Sequence, residues 1–211
     1  MAKRKVRWFI WIVLATLFVA FVATIHPFLA RTAPVDGSIL IVESWLWNRP
    51  ALREALEEFL RGNYRDLVFV GSPTSGGLNG EVILDDAELA AIRSKKIRID
   101  ESKLVKLTIP PMKRHRTYAA AVMFRNWMIK NRPETKAVNI FTIGVHARRS
   151  QVSYQKALGR QVKVGVIVGT QTAYIPWRWW MSPTGIKLVF RNFIGFLDIL
   201  IRTPTIDIGE M

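Results

Sequence analysis

Hydrophobic positions along the chain follow three patterns, and their order predicts the architecture. One long unbroken run comes first: "WFIWIVLATLFVAFVATI", Trp8 to Ile25, is 18 residues without a charge, and uncharged chain continues to Ala30. Short β-branched runs follow. They are "SILIVE" ending at Glu43, "DLVFVG" at 66–71, "SKLVKLTIP" stopped by Pro110 and Pro111, "AVNIFTI" at 137–143 and "VKVGVIVG" at 162–169. Helical spacing fills the intervals: "RPALREALEEFLRG" (49–62), "EVILDDAELAAIRSKK" (81–96), "HRTYAAAVMFRNWMIKN" (115–131), "RRSQVSYQKALG" (148–159) and "IKLVFRNFIGFLDILI" (186–201). Near-continuous apolar strands alternating with helices predict an α/β domain with a Rossmann-like, doubly wound, mainly parallel five-stranded sheet. One N-terminal transmembrane helix precedes it.

The first run is long for a cleaved signal, whose apolar core spans about 7–15 residues, and close to the roughly 20 that cross a bilayer. "HPFLA" is a poor cleavage site, although cleavage after Ala30 or Ala33 is the competing reading. Lys3, Arg4, Lys5 and Arg7 precede the run with no acidic residue among them, which holds the amino terminus in the cytoplasm and sends the rest across the membrane. The expected division is a cytoplasmic basic tail (1–7), a signal-anchor (8–30), a linker (31–37), the α/β domain (38–202) and a C-terminal tail (203–211). The expected location is a bacterial inner membrane, single-pass, with the domain periplasmic or otherwise extracytoplasmic. The last apolar helix contains Lys187, Arg191 and Asp198, which makes it a poor second span. It is expected to cover the sheet, or else to lie along the membrane surface.

Charge narrows the partners. The chain of 211 residues carries a formal +15, and residues 1–31 hold five basic and no acidic residues, which leaves the remainder at +10. Outside a membrane that excess suits anionic lipid or a phosphorylated small molecule or lipid-linked precursor, and nucleic acid is not the expected partner. The absence of cysteine excludes disulfides, thiolate metal sites and cysteine nucleophiles.

Ligands of open parallel sheets bind beyond the carboxyl ends of the strands. This sequence puts Glu43, Ser44 and Trp45 after the first strand, and Gly71, Thr74 and Ser75 in a Gly/Ser/Thr loop after the second. Arg116 and Thr117 follow the third strand, and His146, Arg148 and Arg149 the fourth. Guanidinium groups at helix starts, where the dipole already favours negative charge, suggest a compensating oxyanion. Glu43 is an acid-base candidate, a metal ligand or an orienting partner, with a simple ion pair as the alternative. His146 is the second acid-base candidate, against a turn residue that merely hydrogen-bonds. One His and one Glu are too few for a protein-built zinc site. Trp177, Trp179 and Trp180 form a lid or sugar-stacking wall, pack internally, or anchor at lipid. Neither a P-loop nor GxGxxG is present, so no cofactor is named.

"LIVESW", "RHRTYAAA" and "NIFTIGVHARRSQVSYQKALG", with the glycine-containing turn after the second strand, resemble the YdcF-like family, relatives of SanA and ElyC, over roughly Ser38 to Ile201. The family's His-x-x-Arg falls on His146 and Arg149. Its usual Thr-x-Glu-Asn-Ala is replaced here by Thr117-Tyr118-Ala119-Ala120-Ala121, and Glu-Ser-Trp stands where a glycine-rich first turn is usual, which marks a divergent branch. The resemblance implies a Rossmann-like fold, an N-terminal anchor, and work in envelope integrity, including peptidoglycan and lipid-linked polysaccharide assembly. It does not settle the chemistry. The expectation is an anion-binding site for a phosphorylated precursor, in a hydrolase or transferase, or in a non-catalytic binding or regulatory module.

Overall fold

The computed structural model describes residues 2–43, 49–71, 99–112 and 114–206. Helix α1 (Ala2–Leu29) leads into strand β1 (Ile39–Glu43), helix α2 (Arg49–Arg61) and strand β2 (Asp66–Gly71). Strand β3 (Leu104–Thr108), helix α3 (Arg116–Asn131), strand β4 (Ala137–Ile143), helix α4 (Ala147–Leu158), strand β5 (Lys163–Gly169) and helix α5 (Pro183–Ile201) complete the order. The helix expected over 81–96 lies outside the described residues.

All five strands are parallel, in the order β3-β2-β1-β4-β5. The chain builds outward from β1 through β2 to β3, then returns to lay β4 and β5 on the other side. The switch point therefore falls between β1 and β4, the place where such sheets open a crevice. β1 is buried at every position, as a central parallel strand covered on both faces must be. Leu40, Val42, Phe69 and Phe141 face the apolar stripe of α2, which includes Ala51, Leu52, Leu56 and Phe59. Ile39, Ile41, Val68, Val70 and Ile140 face α3 and α4. Strand periodicity then dictates that Glu43 points to the α3/α4 side, and that Thr142, two residues after Ile140, points the same way.

Helix α1 contains a candidate membrane span, Arg4–Leu29, with mean hydropathy 2.5 and only 6% of its apolar window buried. Its last two turns are different. Ile25 and Leu29 pack with Val145, Tyr174, Trp179, Val189 and Phe196 in a third apolar cluster. Residues 31–37 are bonded along the sheet rather than loose. Ala33 pairs antiparallel with Val166 of β5, and Thr32 Oγ1 accepts from the Val168 amide. Asn139, buried in β4, accepts from the Val35 amide (2.9 Å) and donates to the Val35 carbonyl (2.8 Å). Gly165 permits this approach, because a Cβ there would strike the Asn139 side-chain oxygen and the Val35 amide.

At the amino end of the sheet, buried Asp66 receives Nε (2.8 Å) and Nη2 (2.9 Å) of Arg132 and Nε of Arg65 (3.1 Å). Arg65 also bonds Glu134 at 2.6 Å. Burial alone would raise the Asp66 pKa, but the two guanidinium groups outweigh it and hold the carboxyl below its usual range.

Candidate functional site at the carboxyl edge of the sheet

Glu43 ends β1 with 1% of its surface exposed. Its Oε2 accepts hydroxyl donors from Thr142 of β4 (2.6 Å) and Ser150 of α4 (2.8 Å). His146 Nε2 stands 3.7 Å from the same oxygen. Its Oε1 is buried without a hydrogen-bond partner among the described residues, as is the hydroxyl of Tyr154 one turn along α4 from Ser150. Burial, reinforced by the Glu43 charge, pushes the Tyr154 phenol well above its ordinary value, so it stays a proton donor. Buried polar atoms without protein partners are where ligands and ordered water bind.

His146 is carried on the short 3-10 turn Gly144–His146 that joins β4 to α4. The turn starts at Gly144 with φ +49, a left-handed conformation that a side chain would strain. With 13% of its side chain exposed, His146 is clamped from two sides. Nδ1 lies 2.8 Å from Asn192 Oδ1 on α5, and Nε2 lies 3.3 Å from Thr117 Oγ1 on α3. The Asn192 amide nitrogen already donates to the Leu188 carbonyl (2.9 Å), so its oxygen must face the imidazole. That assigns the proton to Nδ1 and leaves the Nε2 lone pair turned toward Thr117 and Glu43. Burial lowers the His146 pKa; Glu43 and the Asn192 bond oppose the drop, while Arg149 and Arg191 add to it. The resting imidazole is neutral, and a proton arriving at Nε2 lands beside the Glu43 carboxylate.

Arg149 lies on the same side of α4 as His146, one turn on. Its guanidinium packs over Gly195, where a Cβ would come within 3.0 Å of it. His146 and Arg149 thus dock onto Asn192 and Gly195, a pair with the same three-residue spacing. Burial lowers the Arg149 pKa, Glu43 and Asp198 oppose it, and the charges of Arg191 and Arg116 lower it further. Arginine keeps its proton regardless. Among the described residues none of Arg116, Arg149 and Arg191 is within ion-pair distance of a carboxylate. Arg116 opens α3 after His115, which takes the left-handed conformation (φ 55) and sits 3.8 Å from Asp198.

The expected site residues separate into three groups. Glu43, His146, Thr117 and Arg149 are brought together, with Arg116 at the exposed rim. Arg148 turns the other way, its guanidinium 4.6 Å over the ring of Phe28 of α1. Gly71 ends β2 and gives its carbonyl to the Ile109 amide. Ser44, Trp45, Thr74 and Ser75 lie outside the described residues. The sequence reading missed the contribution of α5: Asn192, Gly195, Arg191 and Asp198. A signal was present, since Asn and Gly are poor helix formers set inside an otherwise apolar helix. No family model, no curated protein and no solved structure matches the chain.

Proposed function

We propose that the chain is a membrane-anchored, extracytoplasmic envelope protein that binds a phosphorylated lipid-linked or sugar precursor between β1 and β4 and catalyses its hydrolysis or transfer. The observation that carries the proposal is the pairing of a proton-accepting His146, its tautomer fixed by Asn192, with arginines that have no carboxylate partner among the described residues. Arg149 and Arg116 hold the phosphate oxygens by charge-assisted hydrogen bonds. His146 Nε2 takes a proton from the attacking water or hydroxyl as its oxygen bonds to phosphorus and the P–O bond to the leaving group breaks; Glu43 stabilises the imidazolium, which returns the proton to the leaving oxygen. Thr117 orients the nucleophile's approach through its hydroxyl. Helix α1, a candidate membrane span with Lys3, Arg4, Lys5 and Arg7 in its first two turns, supports the extracytoplasmic placement, and the YdcF-like resemblance supports an envelope role.

The test uses the full chain in detergent with a prenyl phosphate and inorganic phosphate as probes. His146→Gln is expected to abolish turnover of prenyl phosphate while leaving its binding intact. Binding of prenyl phosphate without turnover by the unmodified protein would instead support a non-catalytic binding or regulatory module. Binding of neither probe by the unmodified protein would remove both.

A further inference from the structure

Phe21 lies well inside the apolar run of α1, yet it is not free for lipid on all sides. Its ring meets Phe193 at 5.7 Å and Phe190 at 6.5 Å, both on α5. One residue on, the Val22 carbonyl accepts from the indole nitrogen of Trp179 (3.3 Å), which belongs to the 3-10 segment Pro176–Met181. Further along, Phe28 meets Phe196 at 5.5 Å. Helix α5 therefore runs beside the end of α1 in the same direction.

Depth follows from helix geometry. A helix entering the hydrocarbon at Trp8 has risen about 20 Å by Phe21 at 1.5 Å per residue, and the hydrocarbon is about 30 Å thick. Whatever touches Phe21 shares its depth, some way below the far surface. The outward face of the elements that touch it fits that environment. Trp177, Trp180 and Met181 of the 3-10 segment and Ile186, Phe190 and Ile194 of α5 are exposed, Trp177 and Ile194 each at 64%. On α5 these recur every four residues. Exposed Lys187 and Arg191 line one flank of that stripe, with side chains long enough to lie along apolar surface and extend their charge toward headgroups. His26, a polar residue near the end of the span, is covered here too, its Nε2 3.0 Å from the Tyr174 hydroxyl.

We infer that α5 and the Pro176–Met181 segment form a wedge seated in the outer leaflet beside the anchor, with lipid as its occupant. The inference rests on α1 spanning a membrane, and it gives the proposed site its substrate route. Going round α5, the apolar stripe gives way to Lys187 and Arg191, and then to the buried side that carries Asn192 and Gly195 against His146 and Arg149. A lipid phosphate drawn down to the Arg191 side chain, which reaches up from the depth of Phe21, is thereby next to Arg149 without leaving the membrane.

The chain has no cysteine, so single labels can be placed without background. Full-length protein carrying a fluorophore at Val19→Cys, Ile194→Cys, Trp177→Cys or Leu60→Cys is reconstituted in vesicles of phosphatidylethanolamine and phosphatidylglycerol with brominated acyl chains. Val19, on the bare part of α1, reports the anchor; Leu60, exposed on α2, reports the aqueous domain. The expected result is strong bromine quenching at Val19, at least about half as much at Ile194 and Trp177, and none at Leu60. Quenching at Val19 alone would overturn the wedge and leave the anchor intact. No quenching at Val19 would overturn both. Ile194 shielded from bromine and from aqueous quencher, with cross-linking that depends on protein density, would make the face a contact with a second copy and overturn the lipid assignment.

Discussion

At the amino end of the sheet, Asp66 is gripped by Arg132 and Arg65, and Arg65 goes on to Glu134. At the carboxyl end, among the described residues, Glu43 takes only hydroxyl donors at hydrogen-bonding distance, and three arginines nearby have no carboxylate at ion-pair distance. Both ends bury a carboxylate at a strand terminus of the same sheet. One cluster is closed, its charges cancelled inside the protein; the other is open, with cationic and polar capacity left over. Closed clusters answer to stability and open ones to a ligand, so the two ends should respond differently to the same kind of damage.

The largest effect is expected at the closed end. Arg132→Met leaves buried Asp66 with Arg65 alone and should cost about 2–3 kcal/mol in denaturant unfolding, less than a fully buried pair because about a third of the Arg132 side chain meets solvent. Phosphate binding by the folded fraction should not change. Arg149→Gln should invert that result. Losing a charge-assisted contact of about 1.5–3 kcal/mol weakens binding of a prenyl phosphate roughly tenfold or more, while unfolding stays within about 1 kcal/mol of the parent. An Arg149→Gln chain that binds normally but unfolds easily would erase the distinction.

Acid should separate the ends by pH. His146 has a folded pKa below 6.5, so as pH falls past 6.5 the unfolded chain takes up a proton that the folded one refuses, and stability drops toward the lowered value. His146→Gln removes that component. Asp66 has a folded pKa below 3.8, so its contribution is complete above 3.8 and is lost only in stronger acid. Stability curves from pH 7.5 to 3 should show the first loss abolished by the His146 change and the second by Asp66→Asn. The smallest effect is expected from Gly195→Ala. A methyl 3.0 Å from the Arg149 guanidinium must displace it, which should weaken phosphate binding a few-fold, while the gain in helix propensity of up to about 1 kcal/mol offsets the crowding in unfolding measurements.

The sheet was legible because parallel strands buried on both faces are written as unbroken apolar runs, and "SILIVE", "DLVFVG" and "AVNIFTI" have no other economical reading. The convergence of Glu43 and His146 was legible for a related reason, since both end strands that flank the switch point. What the sequence hid depends on contacts between distant elements. Nothing local to Asn192 says that an imidazole 46 residues earlier will meet its oxygen. Arg148 and Arg149 are adjacent and identical in chemistry; successive helical positions point them apart and the His-x-x-Arg spacing favours Arg149 for the site, but nothing local says that Arg148 will lie over Phe28 of α1. Residues 31–37 have the composition of a linker, and their attachment comes from the edge of β5 at Val166 and Val168 and from an asparagine inside β4.

That attachment has a mechanical consequence. A free segment of seven residues would let a domain wander by roughly 15 Å about its tether. Here the slack is taken up by the antiparallel pair at Ala33 and by the two bonds from Asn139 to Val35. With α1 in a bilayer, the domain then stands on the membrane as a fixed post with one height and one tilt. It can swivel only by turning α1 itself, and under the proposed function its search for a membrane-borne ligand becomes a two-dimensional one. Asn139→Ala would remove one of these holds and leave the Ala33 pair and the packing of Ile25 and Leu29 in place, so the site should keep its chemistry and most of its aim.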